Sequence, residues 1–239
     1  MAYSFTGIAY LILFFVLGYL ADRFFQYWKK ENDVISKFSF YIVLLFGLFV
    51  FSKVIGGLFF ATNSRFLERT IDAAAFFQAF AFAIMAYLVI YIKFPQISPW
   101  FGFIPILILG LIVTILTSII SFNPFLEPSG AINWGFSSDP LNFIVSTLRA
   151  FLFFITFIPL IIISLHQFKT SEDPYLKRKA LGMSLFFLLI LPVALFDFFL
   201  ITIFKLDPIW RDIGFITVSI ALFITLFLTQ GFPRLSPKL

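Results

Sequence analysis

Seven long apolar runs, separated by short polar or charged breaks, make up most of this chain. Each run is continuous rather than alternating, which indicates helices, and each is long enough to cross a bilayer. Backbone groups inside lipid must satisfy their hydrogen bonds within the segment, which also favours helices. We expect an all-α polytopic bundle of seven transmembrane helices forming one domain over residues 1–239. The predicted spans are 4–20, 38–60, 70–92, 100–121, 142–165, 180–204 and 213–230.

The composition agrees with a multi-pass integral membrane protein. Hydrophobic residues make up 61% of the chain, charged residues 12%, and the mean hydropathy is +1.04. Soluble domains have about 45–50% apolar and about 25% charged residues. The chain contains no cysteine, which excludes disulfides, thiolate metal sites and thiol catalysis.

The basic residues predict the orientation of the bundle. If the connections alternate between the two sides, 11 of the 17 basic residues lie on one side, which is typical of the cytoplasmic side. Those 11 are Arg23, Lys29, Lys30, Lys37, Lys93, Lys169, Lys177, Arg178, Lys179, Arg234 and Lys238. The other 6 are Lys53, Arg65, Arg69, Arg149, Lys205 and Arg211. We therefore expect a cytoplasmic C-terminus, an outside N-terminus and residence in the cell (cytoplasmic) membrane. The lipid bilayer then explains the formal charge of +5, and no nucleic-acid partner is expected.

One connection is longer than the others, "NPFLEPSGAINWGFSSDP" at residues 123–140, between the fourth and fifth predicted helices. Its content of Pro, Gly, Asn, Asp and Ser predicts a loop. A loop of this length in a compact domain is either a solvated linker or a lid over a site. Trp134 is the expected anchor in both cases.

Four charged side chains fall inside or near the ends of the predicted spans. Lys53 and Asp197 each lie about 12 Å from the outer end of their helix, and Arg149 lies about 13 Å in. Asp72 is shallower. Their charges sum to zero, so together they can share a buried site that a single charge could not occupy.

Helical spacing directs these groups toward the bundle interior. Asn142, Ser146 and Arg149 form one polar stripe on the fifth helix. Small residues adjoin Lys53 and Asp72 and allow close helix contact, whereas the direction of Asp197 is the least constrained of the four. They are Gly56, Gly57, Ala75, Ala79 and Ala83. Two interpretations remain open: an outward-facing polar pocket that binds a ligand or ion, with Asn142 and Ser146 in its wall, or internal ion pairs that fix helix register.

Several kinds of chemistry are excluded by what the sequence lacks. A single histidine, His166, cannot supply bis-histidine haem ligation or a three-ligand zinc site. The last span contains no lysine for a retinal Schiff base. We find no phosphate-binding loop, no nucleophile with a base at usable spacing and no carboxylate pair on one helix. We expect no cofactor, no metal and no enzymatic activity.

The segment "DPYLKRKALGMSLFFLLILP", residues 173–192, combines a basic cluster, a Leu-Gly step and a proline late in an apolar helix. Together with a last helix that ends in a short basic tail, it resembles the closing two helices of the seven-helix sensor region of some bacterial histidine kinases. The resemblance covers about 60 residues and implies a sensor of a ligand or of the membrane state. This chain stops at Leu239, where that family continues into a signalling domain, so a separate partner would carry the output.

These observations favour a non-enzymatic, receptor-like membrane protein that signals through a separate membrane or cytoplasmic partner. An accessory structural subunit of a larger membrane complex is the alternative. A small transporter is a third, less favoured because we see no internal repeat.

Overall fold

The computed structural model describes residues 4–136, 140–196 and 203–230. These residues form seven helices and one short β-hairpin. The helices are α1 Phe5–Glu31, α2 Val34–Phe59, α3 Ser64–Lys93, α4 Trp100–Ile119, α5 Pro140–Thr170, α6 Pro174–Phe196 and α7 Ile209–Gln230. The hairpin strands are β1 Phe125–Leu126 and β2 Ile132–Asn133.

The all-helical prediction is confirmed, and six of the described helices are long and apolar enough to cross a membrane, consistent with a multi-pass membrane protein. These six are α1 to α5 and, within α7, Ile209–Leu226. The remaining helix, α6, is described over 23 residues. The span expected at 180–204 runs on into residues 197–202, which lie outside the described residues, and so does Asp197.

Several helices are longer than the apolar runs that predicted them. The first predicted span ends at residue 20, yet α1 continues to Glu31. Two of its charged side chains lie near aromatic rings: the Arg23 guanidinium is 5.1 Å from the Tyr19 ring centre, and the Lys29 ammonium is 4.8 Å from that of Phe25. A lysine or arginine ends the apolar run in the sequence but does not end the helix, because the apolar stem of its side chain can stay on the helix surface.

Six of the seven helices form a closed ring. Contacts run from α1 to α2, α2 to α3, α3 to α5, α5 to α6, α6 to α7, and from α7 back to α1. The fourth helix lies outside this ring, where it packs against α3 and α5. Chain order therefore matches spatial order except at α4, which the chain visits between two neighbouring ring helices.

Small residues set the closest helix contacts, as the sequence pattern predicts. At the α1–α2 crossing, a Cβ atom added to Gly57 would lie 2.5 Å from Gly7 Cα. The hydroxyl of Ser4 donates to the Gly57 carbonyl at 2.7 Å in the same place. At the α3–α4 contact, a Cβ on Gly110 would lie 2.8 Å from the Ala79 Cβ. Both helix pairs therefore approach closely because a glycine without a side chain lies at the contact.

We expect Gly57→Ala to lower the free energy of unfolding by about 1–3 kcal/mol, because the added methyl group overpacks the α1–α2 crossing. Gly47→Ala on the same helix is the matched control, since a Cβ there meets no atom within 4 Å. That control should be neutral or stabilising by up to about 1 kcal/mol through helix propensity. Unfolding of the two variants in mixed micelles measures the difference. Equal stability of the two would contradict a close crossing at Gly57.

Candidate functional site

The long loop packs into one end of the helical ring. Its strands pair antiparallel, with Phe125 opposite Asn133 and Leu126 opposite Ile132. The turn at Gly130, whose φ of 82° suits glycine, presents a carbonyl that accepts from the Phe5 amide at 2.8 Å. Buried loop residues include Phe122, Ala131, Ile132 and Trp134. Residues 121–136, the described part of this loop with the two residues before it, thus form a packed plug between helices rather than a solvated linker.

Asn142 and Ser146, expected to line a pocket, contact the backbone of this plug. The Asn142 side-chain amide donates to the carbonyls of Ser121 and Gly135, at 3.3 and 3.2 Å. The Ser146 hydroxyl lies 3.2 Å from the Phe136 carbonyl and 2.7 Å from the Asn142 carbonyl. These two side chains of α5 hold both ends of the plug, because buried backbone carbonyls need donors.

Lys53 reaches the plug from the second ring helix. Its side chain is 3% exposed, and its ammonium lies 3.5 Å from the Trp134 ring centre and 5.7 Å from that of Phe136. The tryptophan is 2% exposed and also meets Tyr10 edge-on, with 6.3 Å between ring centres. A desolvated cation–π contact of this kind is worth about 2 kcal/mol. Trp134 thus provides an attractive surface for a buried charge.

Arg149 meets the same plug from α5. Its guanidinium carbon lies 5.7 Å from the Phe136 ring centre, and one of its amino groups donates to the Thr117 hydroxyl at 2.7 Å. Phe136 therefore has Lys53 and Arg149 within cation–π range. The structure brings Lys53 and Arg149 together at the Phe136 ring and places Trp134 against Lys53. The sequence had singled out all three of these residues.

Asp72 lies to the side of this group. Its carboxylate is 3.4 Å from the Arg69 guanidinium, in a pair whose side chains are 69% and 22% exposed, arginine first. Asp72 also interacts electrostatically with Arg149. It thus belongs to the edge of the cluster, toward solvent.

A cavity of about 140 Å³ opens beside Asp72, between the start of α3 and the end of α4. Arg65, Glu68 and Arg69 share its wall with Asp72, and Thr117 separates it from Arg149. The remaining lining residues are Ser118, Ile119, Ile120, Ser121 and Phe122. The cavity is thus polar, with charges of both signs.

The charges in this wall differ in how far they are neutralised. The Glu68 carboxylate accepts from the Ser121 hydroxyl and, at 3.2 Å, from the Asn123 amide. Asp72 has Arg69 beside it. Arg65 makes no hydrogen bond or ion pair with any other residue in the described part of the chain. The wall therefore offers an accessible guanidinium that an incoming anion could use.

A second polar cluster, at the start of α7, was not anticipated. Arg211 and Asp212 are 1% and 0% exposed, and their side chains pair at 2.7 Å. Asp212 also accepts from the Thr6 hydroxyl, while Arg211 donates to the Ile132 carbonyl at 3.0 Å. The Ile132 amide in turn donates to the Thr6 hydroxyl at 2.7 Å. This cluster joins α1, α7 and the plug.

The apolar run of the last predicted span starts at residue 213, so both charges fall in a predicted loop and the pair is not evident from the sequence. The helix begins earlier, at Ile209. The available signal was the adjacency of an arginine and an aspartate directly before an apolar run, since neighbouring opposite charges can enter a membrane domain as a neutral unit.

Within the described ranges, no three His, Asp or Glu side chains come together as a metal site would require. The polar groups of this end of the ring instead form two connected arrangements: the cation–aromatic cluster of Lys53, Trp134, Phe136 and Arg149, and the buried pair of Arg211 and Asp212. Comparison of the chain with protein-family models, with curated proteins and with solved structures finds no match.

Proposed function

We propose that this protein is a non-enzymatic, receptor-like membrane protein that binds a small anionic ligand in an outward-facing polar pocket and signals through a separate partner. The observation that supports the proposal is the cavity beside Arg65, Arg69 and Asp72, which opens at the end of the ring closed by the plug. Guanidinium groups bind carboxylates and phosphates well, because their donors form a planar fork.

In this proposal all seven helices, α6 among them, span the cell (cytoplasmic) membrane, and the N-terminus lies outside. The basic asymmetry of the sequence supports this orientation. It places the cavity, the plug and the buried pair on the outer side, where a soluble ligand has access to Arg65. Thr117 connects the cavity wall to Arg149, and Arg149 to the plug, so ligand binding can be communicated inward.

Exposed aromatic residues favour a lone receptor over a subunit with one fixed interface. They occur on nearly every helix instead of forming one strip. Examples are Phe15 on α1, Phe51 on α2, Phe76 on α3, Phe101 on α4, Phe151 on α5 and Phe223 on α7. A perimeter of this kind is what contact with lipid on all sides would require.

Anion binding to the purified chain in detergent tests the proposal, with inorganic phosphate and acetate as probes in calorimetric titration. We expect binding that weakens with salt, and a loss of about tenfold in affinity on Arg65→Gln, since a charge-assisted hydrogen bond is worth about 1.5–3 kcal/mol. Arg23→Gln is the control, because Arg23 contacts Tyr19 on α1. Absence of anion binding, or equal binding by both variants, would overturn the proposed pocket.

The alternative of an accessory subunit draws on the outer face of α4. This helix lies outside the ring and exposes a row of isoleucines. They are Ile104, Ile108, Ile112, Ile115 and Ile119. If the particle extracted from native membranes has a constant mass well above that of one chain, and Ile112→Trp reduces that mass, the alternative is favoured.

A further inference from the structure

A second cavity, of about 150 Å³, lies inside the helical ring. All six ring helices line it, and α4 does not. Its wall consists mainly of aromatic and aliphatic side chains from α1, α2, α5, α6 and α7, including Leu13, Phe49, Phe153 and Val218. An apolar space of this size between helices is a common form of small-molecule site.

Gln78 is the polar contribution of α3 to this wall. It lies at the middle of α3, which runs from Ser64 to Lys93, about 22 Å of helix from either end. Its side chain is half-buried, lines the cavity and makes no hydrogen bond with another residue among those described. An amide carries two donors and one acceptor oxygen, and leaving these unpaired in an apolar environment is costly.

Water is a poor partner for this amide. A buried water needs two to four polar partners to replace the hydrogen bonds of the bulk liquid. The wall around Gln78 offers mainly hydrocarbon. A molecule that fills the apolar space and also presents one hydrogen-bonding group to the amide satisfies both parts of the wall.

We propose that this central cavity binds a lipophilic molecule bearing a single carbonyl or hydroxyl group, which hydrogen-bonds to the Gln78 side chain. The carbonyl of such a molecule accepts from the amide nitrogen, and a hydroxyl can donate to the amide oxygen. The proposal concerns a site separate from the anion pocket, and it stands or falls independently of that pocket.

Tyr10 connects this cavity to the plug. Its ring lines the cavity, meets Phe215 at 5.0 Å between ring centres and meets Trp134 at 6.3 Å. An occupant in contact with Tyr10 therefore contacts the ring that supports Trp134. Binding should therefore alter the fluorescence of Trp134, which is one of the 4 tryptophans of the chain.

Photolabelling of the full chain in detergent with an eight-carbon alcohol that carries a diazirine tests the proposal. We expect labels on cavity residues such as Leu13 and Phe153, assigned by peptide mass spectrometry. Octanol and 2-octanone should compete about fivefold to tenfold better than octane at equal concentration in the micelle, because octane cannot form the hydrogen bond.

Two variants and one control make the result specific. Gln78→Leu should remove the preference for octanol over octane, a difference that general loosening of the fold would not produce. Val218→Phe should fill the cavity and reduce labelling about tenfold while Gln78 stays in place. Gln96→Leu, in the exposed α3–α4 connection, should behave as wild type. Labels confined to outward side chains such as Ile108, or equal competition by octane, would overturn the proposal.

Discussion

Replacing Asp212 with Asn is expected to lower the free energy of unfolding by about 3–5 kcal/mol. Asp212 is buried beside Arg211 and accepts from its Nε at 2.8 Å. The substitution keeps the size of the side chain and removes its charge, so the guanidinium loses the carboxylate that neutralises it. Removing one partner of a buried ion pair carries a penalty of this size because the other charge stays desolvated.

Asp22→Asn is the matched control for this change. The Asp22 carboxylate accepts an exposed hydrogen bond from the Gln26 side chain at 2.6 Å, and surface changes of that kind usually cost about 0.5 kcal/mol or less. The double change of Arg211 and Asp212 to Leu should cost less than Asp212→Asn alone, because no buried charge remains. Equilibrium unfolding in mixed micelles measures all three. If Asp212→Asn and Asp22→Asn cost the same, the ion pair at the start of α7 is not buried in the membrane protein.

Replacing Trp134 with Ala is expected to cost about 3–5 kcal/mol, the usual range for removing a buried tryptophan. The indole fills the space between Tyr10 and Lys53. Its loss leaves a cavity and also removes the ring face on which the Lys53 ammonium lies. We expect the plug to become more open as well, which limited proteolysis within residues 121–136 would detect.

Trp100→Ala provides the control for Trp134, since Trp100 lies at the start of α4 and is 54% exposed. It should cost about 1 kcal/mol or less, as surface changes usually do. Lys53→Met combined with Trp134→Ala separates the cation–π part from the packing part. The double-mutant cycle should give a coupling beyond about 0.5 kcal/mol. Strictly additive losses would mean that the ammonium does not depend on the indole.

Trp134 shows how far the sequence could go with the candidate site. Its position in the long loop predicted an anchor, and the structure buries it. The sequence did not predict which group it contacts. Summing the formal charges of the sequence identifies only carboxylates as partners for Lys53. The ring faces of Trp134 and Phe136 attract cations without carrying a formal charge. The proposed function and the ion pairing of Asp197 stay predictions.

The sequence by itself determined the helical class, the apolar segments and the inward faces, because hydrophobic runs and helical periodicity are local properties. The small-residue positions at Gly57 and Ala79 belong to this part. Only the tertiary structure decided which faces meet: that α4 lies outside the ring, that Gln78 faces a cavity, and that Thr6 meets Asp212 across 206 residues of chain. Periodicity indicates which side of a helix is buried. The neighbour on that side depends on how all helices pack together at once, and no single segment encodes that arrangement.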